Sequence, residues 1–317
     1  MHTGAQAVVA TAIISLGKEW LPPKLNPLIQ PLMSTIRRSS CKSRQVLAAS
    51  GLALLMFHSS ASTPSPNSKL VKNLCSMACS YLEIELQDVA QGGNAGAATK
   101  GKDAPVDSAT EAAKVAETGA RHALCAVLRM FKGGFRTALP EIWEAIGKPL
   151  VDHIRLLEDP QHLPVLHRAL FLLSQVACEI DEELKDVFET LCSPLISISS
   201  QAKAHKTVKK LAAMSLASLL TEARALRDIV MVKLHLELIP TLMSEAASAR
   251  QGAAYALRTA VEAMGEQIVP HVVLLLVPTL RRMSDPEDEV RNDASATFAQ
   301  LVPLLPLARG APAPSVL

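Results

Sequence analysis

Apolar residues recur along this chain at helical spacing, and the recurrences come in pairs. Ile268, Val269, Val272, Val273, Leu276, Val277 and Leu280 follow one another as the apolar positions of a helix do. Met283, Ser284 and Asp285 predict a turn. Asp285 is placed to cap a second helix, with Pro286 at its first position and Glu287 and Asp288 in its first turn. That helix is expected to bury Val290, Ala294, Phe298, Leu301 and Val302. The preceding copy has Leu234, Leu238, Ile239 and Leu242 on its first helix, and Ala249 to Ala254 opening its second. Pro240 and Pro278 lie 38 residues apart, and Arg250 and Arg291 lie 41 apart. A period near 40 with two helices per unit is that of HEAT or armadillo repeats.

Two further copies are fainter. Leu184, Val187, Phe188, Leu191 and Leu195 lead to Val208, Leu211, Ala212, Leu216 and Leu219. Near the start, Leu25, Leu28, Ile29, Leu32 and Ile36 lead to Val46, Leu47, Gly51, Leu54 and Leu55. Each pair exposes an apolar face that only its neighbours can cover, so stability is expected to add up repeat by repeat. The reading predicts that Leu276→Ala opens a cavity costing about 2–5 kcal/mol and loosens the C-terminal repeats first.

The pattern fails between Asp88 and Glu117, where Gln91 to Gly96 and Lys100 to Pro105 offer almost no large apolar side chain. Such a stretch cannot offset its ordering entropy, and it predicts a disordered insert. The expected organisation is therefore helical repeats over 1–87, a low-complexity insert over 88–117 and helical repeats over 118–317. Ser59 to Ser68 reads as an inter-helix loop. The fold class expected is all-α, a HEAT/armadillo-like superhelix with one disordered insert.

Composition agrees. The chain is 49% hydrophobic but only 3% aromatic, so the core must be built from aliphatic side chains. At 317 residues it exceeds what one globular core usually holds. Six cysteines (Cys41, Cys75, Cys79, Cys125, Cys178 and Cys192) lie far apart in apolar helical contexts and read as buried, reduced thiols. Cys75 and Cys79 share a helix face, but no second Cys/His pair at zinc spacing accompanies them. Ala5 to Leu16 lacks the basic start and cleavage site of a signal peptide. Ile268 to Leu280, with His271 and two prolines, is too short to span a bilayer. The expectation is a soluble chain with no membrane partner.

No motif for chemistry is complete. Gly96, Gly101 and Lys102 resemble a phosphate-binding loop, but Asp103 stands where a magnesium-binding Ser/Thr belongs, and no strand precedes. His162 and His167 are five apart, not on one helix face, and no glutamate follows His162. Glu179 to Glu183 lacks calcium-loop spacing. No nucleophile turn is present. The sequence predicts no catalytic, metal or cofactor-binding residue.

Charge is arranged in blocks behind a net of +2. Glu141 to Glu189 holds eleven acids against four bases, whereas Gln201 to Arg258 holds nine bases against four acids. Lys203, Lys206, Lys209 and Lys210 cluster at the start of a second helix, and Arg250 and Arg291 occupy the matching place in later repeats. Two readings follow. One is an Asp–Arg ladder between neighbouring repeats, involving Asp285; the other is a basic ridge meeting an acidic partner or phosphate.

Three stretches carry a family resemblance. They are Leu21 to Met33 (LPPKLNPLIQPLM), Gly119 to Leu124 continued by Phe131 to Gly134 and Leu139 to Trp143, and Ile268 to Pro278 followed by Arg282 to Asp285, Val290 and Arg291. In this order they resemble segments of the TATA-binding-protein-associated factor 172 family, the SNF-type ATPases that remove TATA-binding protein from DNA. The resemblance implies a nuclear, non-catalytic HEAT scaffold from the central and later part of the array, ending just before the motor. ATP and magnesium would belong to that motor, outside this chain. TATA-binding protein and promoter DNA would be partners of the full-length protein. The 88–117 insert matches none of these motifs, and no contact residues carry over. Two other HEAT classes stay open. An importin-type receptor should show acidic inner helices throughout, and a phosphatase-type scaffold more uniform repeats.

Overall fold

A computed structural model describes residues 2–60, 66–90, 108–201 and 204–305. Among these residues every regular element is helical. The chain divides into two compact units, Met1–Lys148 and Pro149–Leu317.

The first unit contains α1 (His2–Ser15), α2 (Asn26–Arg38), α3 (Lys42–Ser59), α4 (Asn67–Ala78), α5 (Ser80–Ala90) and α6 (Ser108–Phe131), then the short α7 (Phe135–Ala138). The division falls within α8 (Pro140–Val151), at Pro149. Helix α6 packs on α2, α3, α4 and α5, so both sides of the expected insert belong to one unit. Residues 91–107 of that insert, with the phosphate-loop look-alike, lie outside the described residues. Its ends do not match the expected boundary: α5 continues to Ala90, and α6 already begins at Ser108. Ser108–Glu117 is rich in alanine, the best helix former, and Ala116 is buried by packing. Poor apolar content hid a helix that needs only small side chains to seat. Gln45 ties this unit together, donating from Nε2 to the carbonyls of Ile36 (3.1 Å) and Val115 (2.9 Å).

The second unit contains α9 (His153–Glu158), α10 (Leu163–Val176), α11 (Lys185–Glu189), α12 (Cys192–Ser200) and α13 (Lys206–Thr221). It continues with α14 (Arg227–Lys233), α15 (Ile239–Leu242), α16 (Ala247–Met264), α17 (Val272–Arg282) and α18 (Asp288–Leu301). A π-helical turn, Leu234–Leu238, fuses α14 to α15. Helices pair as α12 with α13, α14–α15 with α16, and α17 with α18, while α10, α13, α16 and α18 pack in succession. This is the stacked-pair arrangement of HEAT and armadillo repeats. The stretch Ala247–Arg282 is long and apolar enough to cross a membrane by length and composition. It is interrupted at Gly265, whose φ of +52° ends α16, and one face of α16 is buried against α13 and α18.

The first helix of the C-terminal pair is rotated from its expected phase. Ile268, Val272, Leu275 and Thr279 face the core, whereas Val269, Val273, Val277 and Leu280 are exposed. Leu275 is 0% exposed and Leu276 is only partly covered, so the cavity-forming position is Leu275. The run is apolar nearly all round, and such a run gives the period without the phase. A similar slip occurs in α3, where Gln45, Ala48, Leu52 and Met56 are buried and Val46 and Leu47 exposed. Helix α18 starts at Asp288, not Pro286, because Asp285 is drawn into ion pairs; its carboxylate still accepts the Glu287 N–H at 3.1 Å. No disulfide joins the six cysteines, but Cys41 and Cys178 are exposed; at Cys75 burial pushes the thiol up to about 12.

Candidate functional site

Lys203 lies outside the described residues. The other five predicted basic residues fall on α13, α16 and α18, and they separate into two groups.

Arg250 does not stand on a ridge. It is 7% exposed and clamps Asp285 of the next pair with two bonds, Nε to Oδ2 at 2.8 Å and Nη2 to Oδ1 at 3.0 Å. Its Nη1 donates to the carbonyls of Ser244 and Glu245, in the turn before its own helix. Arg282 adds a third donor to Asp285 at 2.8 Å. Burial alone would raise the Asp285 carboxyl; the bonds from Arg250, the Glu287 N–H and Arg282 outweigh it and hold the group below the usual carboxylate range. The bond to Asp285 likewise raises Arg250. Arg291 repeats the pattern 41 residues later, donating from Nη1 to the carbonyls of Asp285 and Pro286, and it pairs with Asp288. Arg250 thus fastens one helix pair to the next, as the ladder alternative expects, whereas Arg291 ties down the turn before its own helix.

Lys206, Lys209 and Lys210 converge on a cleft of about 420 Å³ between α13, α16 and α18. Lys209 sits at the register of Arg250 and Arg291. It donates to the Ser248 carbonyl at 2.8 Å, and burial lowers its pKa. Lys206 reaches Glu289 on α18 at 2.6 Å, both side chains remaining mostly in solvent. The Lys210 ammonium lies 5.8 Å from the Tyr255 ring centre, within cation–π range.

The remaining cleft residues were not singled out by charge. Gln251 and Asn292 occupy the register of Lys210, at a spacing of 41 each, so the repeat period could have found them. Asp293 is met by Arg258 at 3.0 Å; burial raises its pKa and the arginine opposes that shift. The cleft offers ammonium groups, carboxamides and an aromatic ring, a donor set for recognition. The two histidines considered from sequence stay apart. His162 is exposed beside Asp159, whereas His167 is buried in α10 with Nε2 unpartnered, and burial, then the nearby His205 charge, lowers it to about 4.

Residues 1–145 match a family profile described as a domain of unknown function, DUF3535. The chain is similar to TATA-binding protein-associated factor BTAF1 of Arabidopsis thaliana, 31% identical over 344 residues, which covers 99% of this chain and 16% of that protein. It is similar to TATA-binding protein-associated factor 172 of Homo sapiens, 29% identical over 99% of this chain and 20% of that protein. Saccharomyces cerevisiae MOT1, a further TATA-binding protein-associated factor, is 29% identical over 92% of this chain and 16% of that protein. The chain thus spans a fifth or less of the length of these relatives. Among solved structures, a designed armadillo repeat protein aligns with 92% of this chain and 98% of its own at 16% identity and a TM-score of 0.35.

Proposed function

We propose that this chain, a relative of the TATA-binding-protein-associated factor 172 family over nearly its whole length, is a non-catalytic HEAT scaffold segment of a transcription regulator. The regulator removes TATA-binding protein from DNA with an ATPase located outside this chain, and it works in the nucleus. The observation that carries this reading is the extent of the match: 99% of the chain aligns, yet only 16% of the first relative is covered. A segment of that size, folded as stacked helix pairs, is suited to hold partners while chemistry proceeds elsewhere. ATP and magnesium would be bound by the motor, and TATA-binding protein and promoter DNA by the whole regulator. The face offered to a protein partner is the cleft between α13, α16 and α18.

The test is immunoprecipitation of the native protein from nuclear extract. TATA-binding protein and a DNA-stimulated ATPase should be recovered with it, and the purified 317-residue chain should hydrolyse no ATP. ATP turnover by the purified chain, or a nuclear precipitate lacking both companions, would overturn the proposal.

A further inference from the structure

The cleft between α13, α16 and α18 is bridged by one ion pair and lined by polar groups open to solvent. The Lys206–Glu289 ion pair spans the cleft from α13 to α18, with side chains 63% and 54% exposed. Exposed pairs of this kind contribute about 0–1 kcal/mol, so the bridge opens readily. Beside it, Lys210, Gln251 and Asn292 stand at one register on the stacked helices α13, α16 and α18, and all three line the cleft. Neither carboxamide makes a side-chain hydrogen bond to any described residue. Each offers a donor pair and an acceptor, the complement of a peptide group. Packed helices about 8–10 Å apart present such groups at roughly every third residue of an extended chain.

Gly252 lines the cleft at a close helix contact. A Cβ there would lie 1.8 Å from the Ser199 carbonyl oxygen, so α16 meets α12 at the backbone, with the Lys209 stem alongside. Tyr255, one turn further along α16, supplies an apolar wall.

Charge selects the occupant. Helix α13 contributes three ammonium groups to the cleft. Of the carboxylates opposite, Asp293 is engaged by Arg258 and Glu289 by Lys206, which leaves Lys210 with the Tyr255 ring alone. Glu289 therefore stands where a ligand carboxylate would stand.

We propose that this cleft receives an extended acidic segment of a protein partner. A ligand carboxylate takes the place of Glu289 on Lys206 and neighbours Lys210, while Gln251 and Asn292 hold the backbone. The inference rests on the reading of the chain as a protein-binding scaffold and names the partner chemistry of that face.

Fluorescence anisotropy on the full chain tests it, using a labelled heptapeptide of alternating glutamate and leucine and its lysine counterpart. The acidic peptide should bind about tenfold or more tightly than the basic one and weaken with added salt. Q251A/N292A should lower its affinity about fivefold or more with the melting temperature unchanged. Glu289→Gln should raise affinity several-fold, since it removes the internal competitor. Equal binding of the two peptides, indifference to Q251A/N292A, or weakening by Glu289→Gln would each overturn the assignment. So would competition by inorganic phosphate as effective as by unlabelled peptide, or binding of a TATA duplex with no binding of the peptide. Peptide failure alongside intact co-precipitation of TATA-binding protein would remove the cleft assignment and leave the scaffold reading standing.

Discussion

At Asp285 a carboxylate with no exposed side-chain surface is held by two arginines and a backbone N–H. Arg250→Ala removes the bidentate partner and the donor to two turn carbonyls, so it should cost about 3 kcal/mol. Lys206→Ala breaks only the exposed pair with Glu289 and should cost under about 1 kcal/mol. Urea unfolding of the two variants checks the contrast; coincident midpoints would remove the distinction between fastener and surface charge. Acid acts on the same side chain. Because the folded state depresses the Asp285 pKa, its stabilisation is complete above the unfolded carboxylate range and is lost as pH falls through the depressed value. His167 acts in a higher window. Its folded value of about 4 lies below the unfolded 6.5, so the unfolded state binds more protons, and stability should fall on the order of 3 kcal/mol between pH 6.5 and 4. His167→Leu should flatten that part of the urea midpoint–pH curve, and parallel curves for the two proteins would exclude His167 as the source. Residue identities made part of the site legible. The lysines of α13 cluster in sequence and meet in one cleft, whereas Arg250 and Arg291, alike on paper, turn to turn carbonyls and carboxylates; of the two only Arg250 is buried, where an unpaired guanidinium would be costly.

Helix α17 shows what a sequence pattern supplies and what it withholds at the level of an element. An apolar run with leucine or valine at nearly every position has a helix in it whichever face is turned inward. The packing of α17 against α18 and α15 chooses Val272, Leu275 and Thr279, leaving Val273 71% exposed. Leu275→Ala should therefore cost about 2–5 kcal/mol, and Leu276→Ala markedly less. Denaturant midpoints measured side by side decide which face is buried; a larger loss at Leu276 would return the helix to the phase read from sequence. The same limit explains the start of α6. Alanine packs closely without announcing itself as hydrophobic, so Ser108–Glu117 looked too poor to order, although its helix propensity was plain. Close approach is equally hidden in a glycine. Gly252→Ala would press a methyl group into the Ser199 carbonyl, and the expected cost is about 1–3 kcal/mol, with narrowing of the cleft read out as weaker acidic-peptide binding.

Over the whole chain, the repeat period was the most informative quantity in the sequence. It placed the helix pairs, it aligned Lys209 with Arg250 and Arg291, and it aligns Lys210 with Gln251 and Asn292 although those three share no charge. What it could not give was the division of the chain. The break in apolar pattern suggested a boundary at the insert, but α6 returns to pack on α2, α3, α4 and α5, and the division falls at Pro149 instead. Stacked helix pairs contact mainly their neighbours, so damage should spread by adjacency rather than through a common core. Leu275→Ala in the full chain should raise amide exchange first in α17 and α18, next in α16 and then in α13. The amides of α3 and α6, in the first unit, should keep their native protection. Hydrogen-exchange mass spectrometry resolves these segments separately. Uniform loss of protection in both units would mean that the chain unfolds as a single cooperative body, and the additive picture of its stability would have to be abandoned.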